Sequence, residues 1–130
     1  MNDSIRSALT QGGIIDITTT GRRSGQPRRI EIVYHVIDGR FYIGGMPNPD
    51  RTRRWLSNLE ADPKFTFHLK NRVSADLPAT ARVITDEVER RTVLEHIARA
   101  WNRTDLDAMV ADSPLVEVTI DGLGDPPSAS

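Results

Sequence analysis

Arginines dominate one short stretch of the chain. The twelve residues 18–29 read TTTGRRSGQPRR, with four arginines and no acidic residue. Gly21, Gly25 and Pro27 predict a loop there, because they interrupt regular structure. Glycine lets backbone N–H groups approach an anion, and a guanidinium offers paired donors that fit phosphate or carboxylate. The stretch therefore predicts an anion-binding loop; the alternative is a solvated basic turn.

A second basic group lies at the start of a predicted helix. Arg51, Arg53 and Arg54 stand where helices usually prefer acidic residues, because the helix dipole is positive at that end. A bound anion would offset this conflict, although an exposed turn would also tolerate it. Trp55 follows directly, and it suits either the core or a platform for a cofactor.

Several kinds of chemistry are excluded or disfavoured by what the chain lacks. It has no cysteine, which excludes disulfides, thiolate catalysis and cysteine-ligated zinc or iron–sulfur sites. His35, His68 and His96 are far apart and show no metal-ligand spacing, so we expect no metal site. The carboxylates of residues 86–89 open a predicted helix, where the dipole explains them better than acid–base catalysis does.

Hydrophobic periodicity predicts the elements that position these residues. Alternation and β-branched residues predict strands at 14–20, 30–37, 40–43, 64–70, 79–84 and 115–120. Helical spacing predicts helices at 51–61, at 87–101 with Asp86 as the N-cap, and at 104–111. Most links between strands are too short for crossovers, so antiparallel pairing should dominate. We expect a mainly β, α+β fold: a small closed barrel of about six strands flanked by helices.

The chain has the length and charge of one ordinary domain. Its 130 residues predict an arm or short helix at 1–12, a single barrel domain at 13–122 and a disordered tail at 123–130. The net charge of −1 argues against a nucleic-acid partner. No apolar stretch approaches the ~20 residues of a membrane span, and the first residues lack the apolar core of a signal peptide. We therefore expect a cytoplasmic protein.

The arginine-rich stretch resembles the deazaflavin-dependent nitroreductase family of actinobacterial flavin/deazaflavin oxidoreductases. That family typically shows Thr-Thr-Thr-Gly-Arg-(Arg/Lys)-Ser-Gly-x-Pro-Arg, which residues 18–28 match, followed by an apolar strand and Asp-Gly. A later family segment is matched by Gly44-Gly45, Trp55, Asn58-Leu59 and Asp62-Pro63. The similarity covers about residues 14–70 well and the remainder only in layout.

The resemblance implies a fold, a cofactor and a set of binding residues. The fold is a split β-barrel related to pyridoxine-phosphate oxidases. The cofactor is coenzyme F-420, a deazaflavin with a phosphate and a polyglutamate tail. Arg23 and Arg28 match the family's anion-binding positions. Arg22 and Ser24 lie beside them, and Gly44 and Gly45 match positions close to the deazaflavin. With this cofactor, we expect Arg22, Arg23, Ser24, Arg28 and Arg54 to hold the anionic tail, and Gly44, Gly45, Met46 and Trp55 to lie near the ring.

The sequence departs from the family pattern at three places. Ile43 stands where members often carry Lys before the Gly-Gly pair, and Leu56 replaces the aromatic residue that follows Trp55. The nitroreducing members have a tyrosine-rich stretch before the last strand, whereas residues 105–112 contain no tyrosine. These changes argue against nitroimidazole reduction more strongly than they argue against binding of the deazaflavin cofactor.

Three functions follow as hypotheses. The leading one is an F-420-dependent oxidoreductase that transfers a hydride between the cofactor and a small electrophilic organic substrate. The alternatives are an FMN-binding split-barrel oxidoreductase and a non-catalytic protein that binds a cofactor or small ligand. No catalytic acid is assigned; Tyr34, Tyr42 and His68 are the candidates. Split barrels often dimerise, so a homodimer is one expectation, and residues 65–69 could line either a core or an interface.

Overall fold

Six strands and four helices make up the described chain. The computed structural model describes residues 3–48 and 53–122. The strands are β1 (Gly13–Thr20), β2 (Pro27–Ile37), β3 (Arg40–Gly44), β4 (Lys64–Lys70), β5 (Ser74–Val83) and β6 (Leu115–Ile120). The helices are α1 (Asp3–Leu9), α2 (Arg54–Ala61), α3 (Glu87–Ala100) and α4 (Leu106–Asp112). No helix among these is long and apolar enough to cross a membrane.

The strands form a closed antiparallel barrel in the order β1-β2-β3-β6-β5-β4. The barrel closes because β1 pairs with β2 on one side and with β4 on the other. Between β2 and β3 the turn is tight: Asp38 (φ 52°) and Gly39 (φ 77°) both adopt left-handed conformations, as a type I′ hairpin turn requires. The predicted α+β barrel and its hairpin are therefore confirmed.

Alternate strand residues fill the interior of the barrel. The Tyr34 ring contacts Phe41 and Phe67 edge to face, at centroid distances of 6.0 and 5.1 Å. Phe65, Phe67 and Leu69 are buried in this core, so the face that could have been core or interface is core. The helix α1 covers one end, where the Tyr34 hydroxyl donates to the carbonyl of Leu9 at 2.9 Å.

A second hydrophobic cluster lies outside the barrel. Leu94 and Ile97 of α3 and Met109 of α4 pack with Tyr42 and Leu115 from the strands beneath them. The Asp86 carboxylate accepts from the N–H of Glu89 at 2.9 Å, which confirms the predicted N-cap of α3. Together α3 and α4 cover the outer face of β3 and β6.

The boundaries differ from the prediction in a few places. The strand β5 begins at Ser74 rather than at residue 79, because Pro78 falls where pairing with β6 ends and so removes no ladder bond. Its carbonyl accepts from the N–H of Asp121 at 2.9 Å. The helix α4 begins at Leu106, two residues later than predicted. The helix α2 begins at Arg54 rather than at residue 51, because the extended backbone of Arg53 forms its N-cap. Residues 51 and 52 of the predicted helix and the predicted tail at 123–130 lie outside the described residues.

Candidate functional site

The arginine-rich loop, residues 21–26, joins β1 to β2 at one end of the barrel. The N–H of Gly21 donates to the carbonyl of Gln26, and the N–H of Gly25 donates to the carbonyl of Gly21, both at 2.8 Å. A Cβ at Gly21 would lie 2.5 Å from the Ser24 hydroxyl oxygen and 3.1 Å from the Gln26 carbonyl oxygen, so a side chain there would displace the Ser24 hydroxyl. Gly25 has φ +69°, a conformation that side chains rarely adopt.

Ser24 has one hydrogen bond inside this loop. Its hydroxyl oxygen accepts from the N–H of Gln26 at 3.1 Å. A hydroxyl that accepts in this way can still donate its own hydrogen. Ser24 is exposed, so that hydrogen can serve an anion bound beside the loop.

The loop, the adjoining strand ends and α2 enclose a cavity of about 570 Å³. We call it the arginine hollow. Most of its lining residues are polar or cationic, and none is acidic. They are Thr19, Gly21, Arg22, Arg23, Ser24, Arg28, Ile30, Arg54, Trp55, Ser57 and Asn58. Six of the nine predicted cofactor-binding residues therefore line this one cavity: Arg22, Arg23, Ser24, Arg28, Arg54 and Trp55.

The four arginines of the hollow make no ion pair with any other described residue. Most other arginines do have partners: Arg29 binds Asp16 at 3.0 Å, and Arg40 binds Glu117 at 3.1 Å. Within residues 3–48 and 53–122, no hydrogen bond or ion pair engages the guanidinium groups around the hollow. Four uncompensated cations around one cavity favour a ligand with several negative charges.

The alternation of β2 decides which arginines reach the hollow. Thr19 pairs with Arg28, and opposed residues of an antiparallel pair project to the same face. Thr19 is buried at 2% exposure, so this face leads inward. Arg29 projects to the outer face and pairs with Asp16 instead. Arg54, from α2, supplies the fourth guanidinium of the hollow.

The other three predicted cofactor-binding residues, Gly44, Gly45 and Met46, do not line the arginine hollow. Gly44 is buried, and a Cβ there would lie 3.2 Å from Ile97. At Gly45 a Cβ would lie 2.8 Å from the Pro114 ring, so close packing explains both glycines. Met46 is half-exposed, and its sulfur accepts from Arg103 at 3.1 Å. That these residues lie near the cofactor ring stays a prediction.

A second cavity, of about 510 Å³, lies on the other side of α2, between α2 and the end of α4. We call it the α2–α4 hollow. Ser57 lines both cavities, so one helix separates them. The other residues that line the α2–α4 hollow are Asn48, Arg53, Leu56, Val83, Ile84, Thr85, Arg90, Ala111, Asp112, Ser113, Pro114 and Leu115. Sequence reasoning missed this cavity, because its residues come from five separate segments without a motif.

Arg90 holds one wall of the α2–α4 hollow. Its guanidinium donates to the carbonyls of Ile84, Met109, Val110 and Ser113, at 3.0, 3.3, 2.9 and 2.6 Å. Burial lowers the pKa of Arg90 from its ordinary value. All four bonds are to backbone, so the side chain fastens the turn between α4 and β6 to α3.

The candidate proton donors lie away from the arginine hollow. Tyr34 is buried in the barrel, and burial raises its pKa and that of Tyr42. His68 lies on the outer face of β4, but it is buried at 7% exposure. Its ring nitrogens bond to the Thr18 hydroxyl at 2.6 Å and to Asp76 at 2.7 Å. No cluster of three or more potential metal ligands occurs in the part of the chain that is described.

Comparison with known proteins identifies the family of this chain. The family model described as F420H(2)-dependent quinone reductase matches residues 2–121. The chain belongs to this family. Its members are named for the same deazaflavin cofactor that the arginine-rich motif indicates, and for quinone reduction rather than nitro reduction.

Solved structures of low identity share the fold of this quinone reductase family member. An F420-H2 dependent reductase (FDR-A) is 22% identical, with a TM-score of 0.60 over 82% of this chain and 94% of that one. A pyridoxinephosphate oxidase family protein from Clostridium acetobutylicum is 13% identical, with a TM-score of 0.63 over 92% and 82%. A structure described as a domain-swapped dimer is 19% identical, with a TM-score of 0.61 over 90% and 95%. These similarities establish the split β-barrel.

Proposed function

We propose that the arginine hollow binds the anionic tail of coenzyme F-420, and that the protein transfers a hydride from the reduced cofactor to a small electrophilic acceptor such as a quinone. The observation that carries this proposal is the set of four guanidinium groups around one cavity that have no ionic partner among the described residues. The match to the F420H(2)-dependent quinone reductase family supports it independently.

The charge of the hollow fits this cofactor better than it fits FMN. The tail of coenzyme F-420 carries a phosphate and several carboxylates, whereas FMN carries a single phosphate. A ligand with one phosphate would leave most of Arg22, Arg23, Arg28 and Arg54 uncompensated, because no acidic residue lines the cavity. Ser24 adds a neutral donor for an oxygen of the same tail.

The chain's own residues would bind the tail, orient the cofactor and exclude water. When bound, the reduced deazaflavin supplies the hydride. The arginines hold its tail at one side of α2, and Trp55 gives the hollow an aromatic wall beside them. The acceptor has room in the α2–α4 hollow, which shares Ser57 with the arginine hollow. Arg53 connects that hollow to the predicted ring-binding segment, because it donates to the carbonyl of Met46.

A fluorescence titration with coenzyme F-420, with FMN in parallel, tests the proposal without a choice of substrate. We expect micromolar or tighter binding of coenzyme F-420 and weak binding of FMN. An Arg23→Ala/Arg28→Ala variant should bind at least about a hundredfold less tightly, because two charge-assisted contacts are lost. Unchanged affinity in that variant would refute the site.

Turnover separates an enzyme from a carrier. Oxidation of the reduced cofactor by a panel of quinones, enones and nitroaromatics should proceed fastest with the quinones. Tight binding without turnover would support the non-catalytic alternative. Tighter binding of FMN than of coenzyme F-420 would indicate a flavin-dependent oxidoreductase with the same fold.

We further infer that the protein forms a homodimer, since one structural neighbour is described as a domain-swapped dimer. Light scattering at micromolar concentration tests this inference. A monomeric mass across the concentration range would contradict it.

A further inference from the structure

Asn58 joins the arginine-rich loop to α2. Its side-chain oxygen accepts from the N–H of Arg22 at 2.9 Å, and its side-chain nitrogen donates to the Thr19 hydroxyl at 3.0 Å. Asn58 and Thr19 are buried, at 6% and 2% exposure. A buried amide with both ends bonded fixes its partners relative to each other.

This attachment is the one hydrogen bond between the loop and α2 in the described part of the chain. The other backbone N–H bonds of the loop, from Gly21, Gly25 and Gln26, all end on the loop itself. The loop is therefore a compact unit, and the Arg22 N–H···Asn58 bond is its direct polar attachment to α2. Arg54 lies one helical turn before Asn58, on the same side of α2.

We propose that Asn58 is a positioning residue that holds the guanidinium groups of Arg22 and Arg23 on the loop in register with that of Arg54 on α2. Like charges that share a cavity repel one another, and no acidic residue of the lining offsets that repulsion. A scaffold must therefore set the spacing of the cations before the ligand arrives. The position of Arg28 does not depend on Asn58, because strand pairing with Thr19 fixes its backbone.

This inference rests on the proposed function for the identity of the ligand, but inorganic pyrophosphate tests it without the cofactor. Asn58→Leu should weaken pyrophosphate and coenzyme F-420 binding about three- to tenfold, because one hydrogen bond that orders the loop is lost. The amide of Arg22 should lose hydrogen-exchange protection, while that of Ile30 in β2 should keep it.

A double-mutant cycle distinguishes positioning from a general loss of structure. In the Asn58→Leu background, Arg22→Ala should cost much less affinity than it costs in the wild type, because Arg22 is already misplaced. Arg28→Ala should cost the same in both backgrounds. Equal coupling to both arginines, or coupling to neither, would overturn the inference.

Variants at Thr19 keep the test usable if Asn58→Leu does not fold. Thr19→Val removes the hydroxyl that Asn58 binds and preserves side-chain shape, so it should weaken pyrophosphate binding. Thr19→Ser retains the hydroxyl and should restore affinity; failure of this rescue would contradict the proposal. If the wild type binds pyrophosphate but not coenzyme F-420, the proposed function fails and the positioning role is still measured.

Discussion

Arg28 and Arg29 are adjacent in β2, but they face opposite sides of the sheet. Arg28 lines the arginine hollow without an ionic partner among the described residues, whereas Arg29 forms an ion pair with Asp16 on the outer face, at 3.0 Å. Hydrogen bonds from Lys70 and Arg29 lower the pKa of Asp16. These two neighbouring arginines therefore differ in role: Arg28 lines the proposed ligand site, whereas Arg29 forms a surface ion pair.

This division predicts unequal effects of two matched substitutions. Arg28→Ala should weaken coenzyme F-420 binding about tenfold or more, because a charge-assisted contact is lost. Arg29→Ala removes the same charge one residue away and should change the affinity less than about twofold, because Arg29 faces away from the hollow and pairs with Asp16. Fluorescence titration of both variants checks this; equal losses would mean that general charge, rather than geometry, attracts the cofactor.

A side chain at Gly21 should disturb the Ser24 hydroxyl. Gly21→Ala places a Cβ 2.5 Å from the Ser24 hydroxyl oxygen, so that hydroxyl must move from its bond with the N–H of Gln26, and anion affinity should fall. Gly25→Asn is the control, because the space around its Cβ is open and Asn tolerates φ near +69°. Calorimetric titration with pyrophosphate should detect weaker binding in the first variant alone.

Arg90 should stabilise the fold far more than its neighbour in sequence. Arg90→Met removes a donor from four backbone carbonyls, of which that of Met109 keeps its bond from the N–H of Ser113, and should lower the free energy of unfolding by about 2 kcal/mol or more. Arg91→Met breaks only an exposed pair with Asp107 and should cost less than about 0.5 kcal/mol. Urea denaturation of the two variants measures both values, and similar values would contradict this role of Arg90.

His35 should make the stability of the protein sensitive to mild acid. Its ring packs against Trp101 at 5.1 Å, its Nε2 atom is buried without a hydrogen-bond partner among the described residues, and burial lowers its pKa. The unfolded chain therefore takes up a proton at a higher pH than the folded chain does. Stability should be full above the unfolded pKa of about 6.5 and should fall as the pH drops towards the folded pKa.

Urea denaturation at pH 7.5 and at pH 5.5 measures this effect. His35→Phe should lose part of the difference in unfolding free energy between the two pH values. His96→Gln, at an exposed position of α3, should keep it. An unchanged difference in His35→Phe would assign the acid sensitivity to other groups.

Local patterns were sufficient to predict most of the fold. Alternation in residues 64–70 and the Asp38-Gly39 turn specify strand faces and a hairpin by short-range rules, and the structure confirms both. The sequence does not predict the first half of β5, because Asp76 and Pro78 are unfavourable in strands. The structure accommodates both residues because this part of β5 has an exposed edge.

The candidate site was predictable only where its residues are contiguous. The loop arginines stand out in the sequence, but only the pairing register separates Arg28 from Arg29. The bonds of Asn58 to Thr19 and Arg22 span 39 and 36 residues, and no local pattern encodes contacts at such distances. The same holds for the α2–α4 hollow and for the four carbonyls bound by Arg90.

The strand order also constrains how the protein folds. The hairpin that carries the arginine-rich loop, β1 with β2, is local in sequence and can form early, whereas β6 must insert between β3 and β5 to complete the barrel. Until then β3 and β5 present open edges that can pair with other chains. During synthesis, the arginine-rich loop can therefore form before β6 is available to close the barrel. Aggregation should compete with folding in that interval.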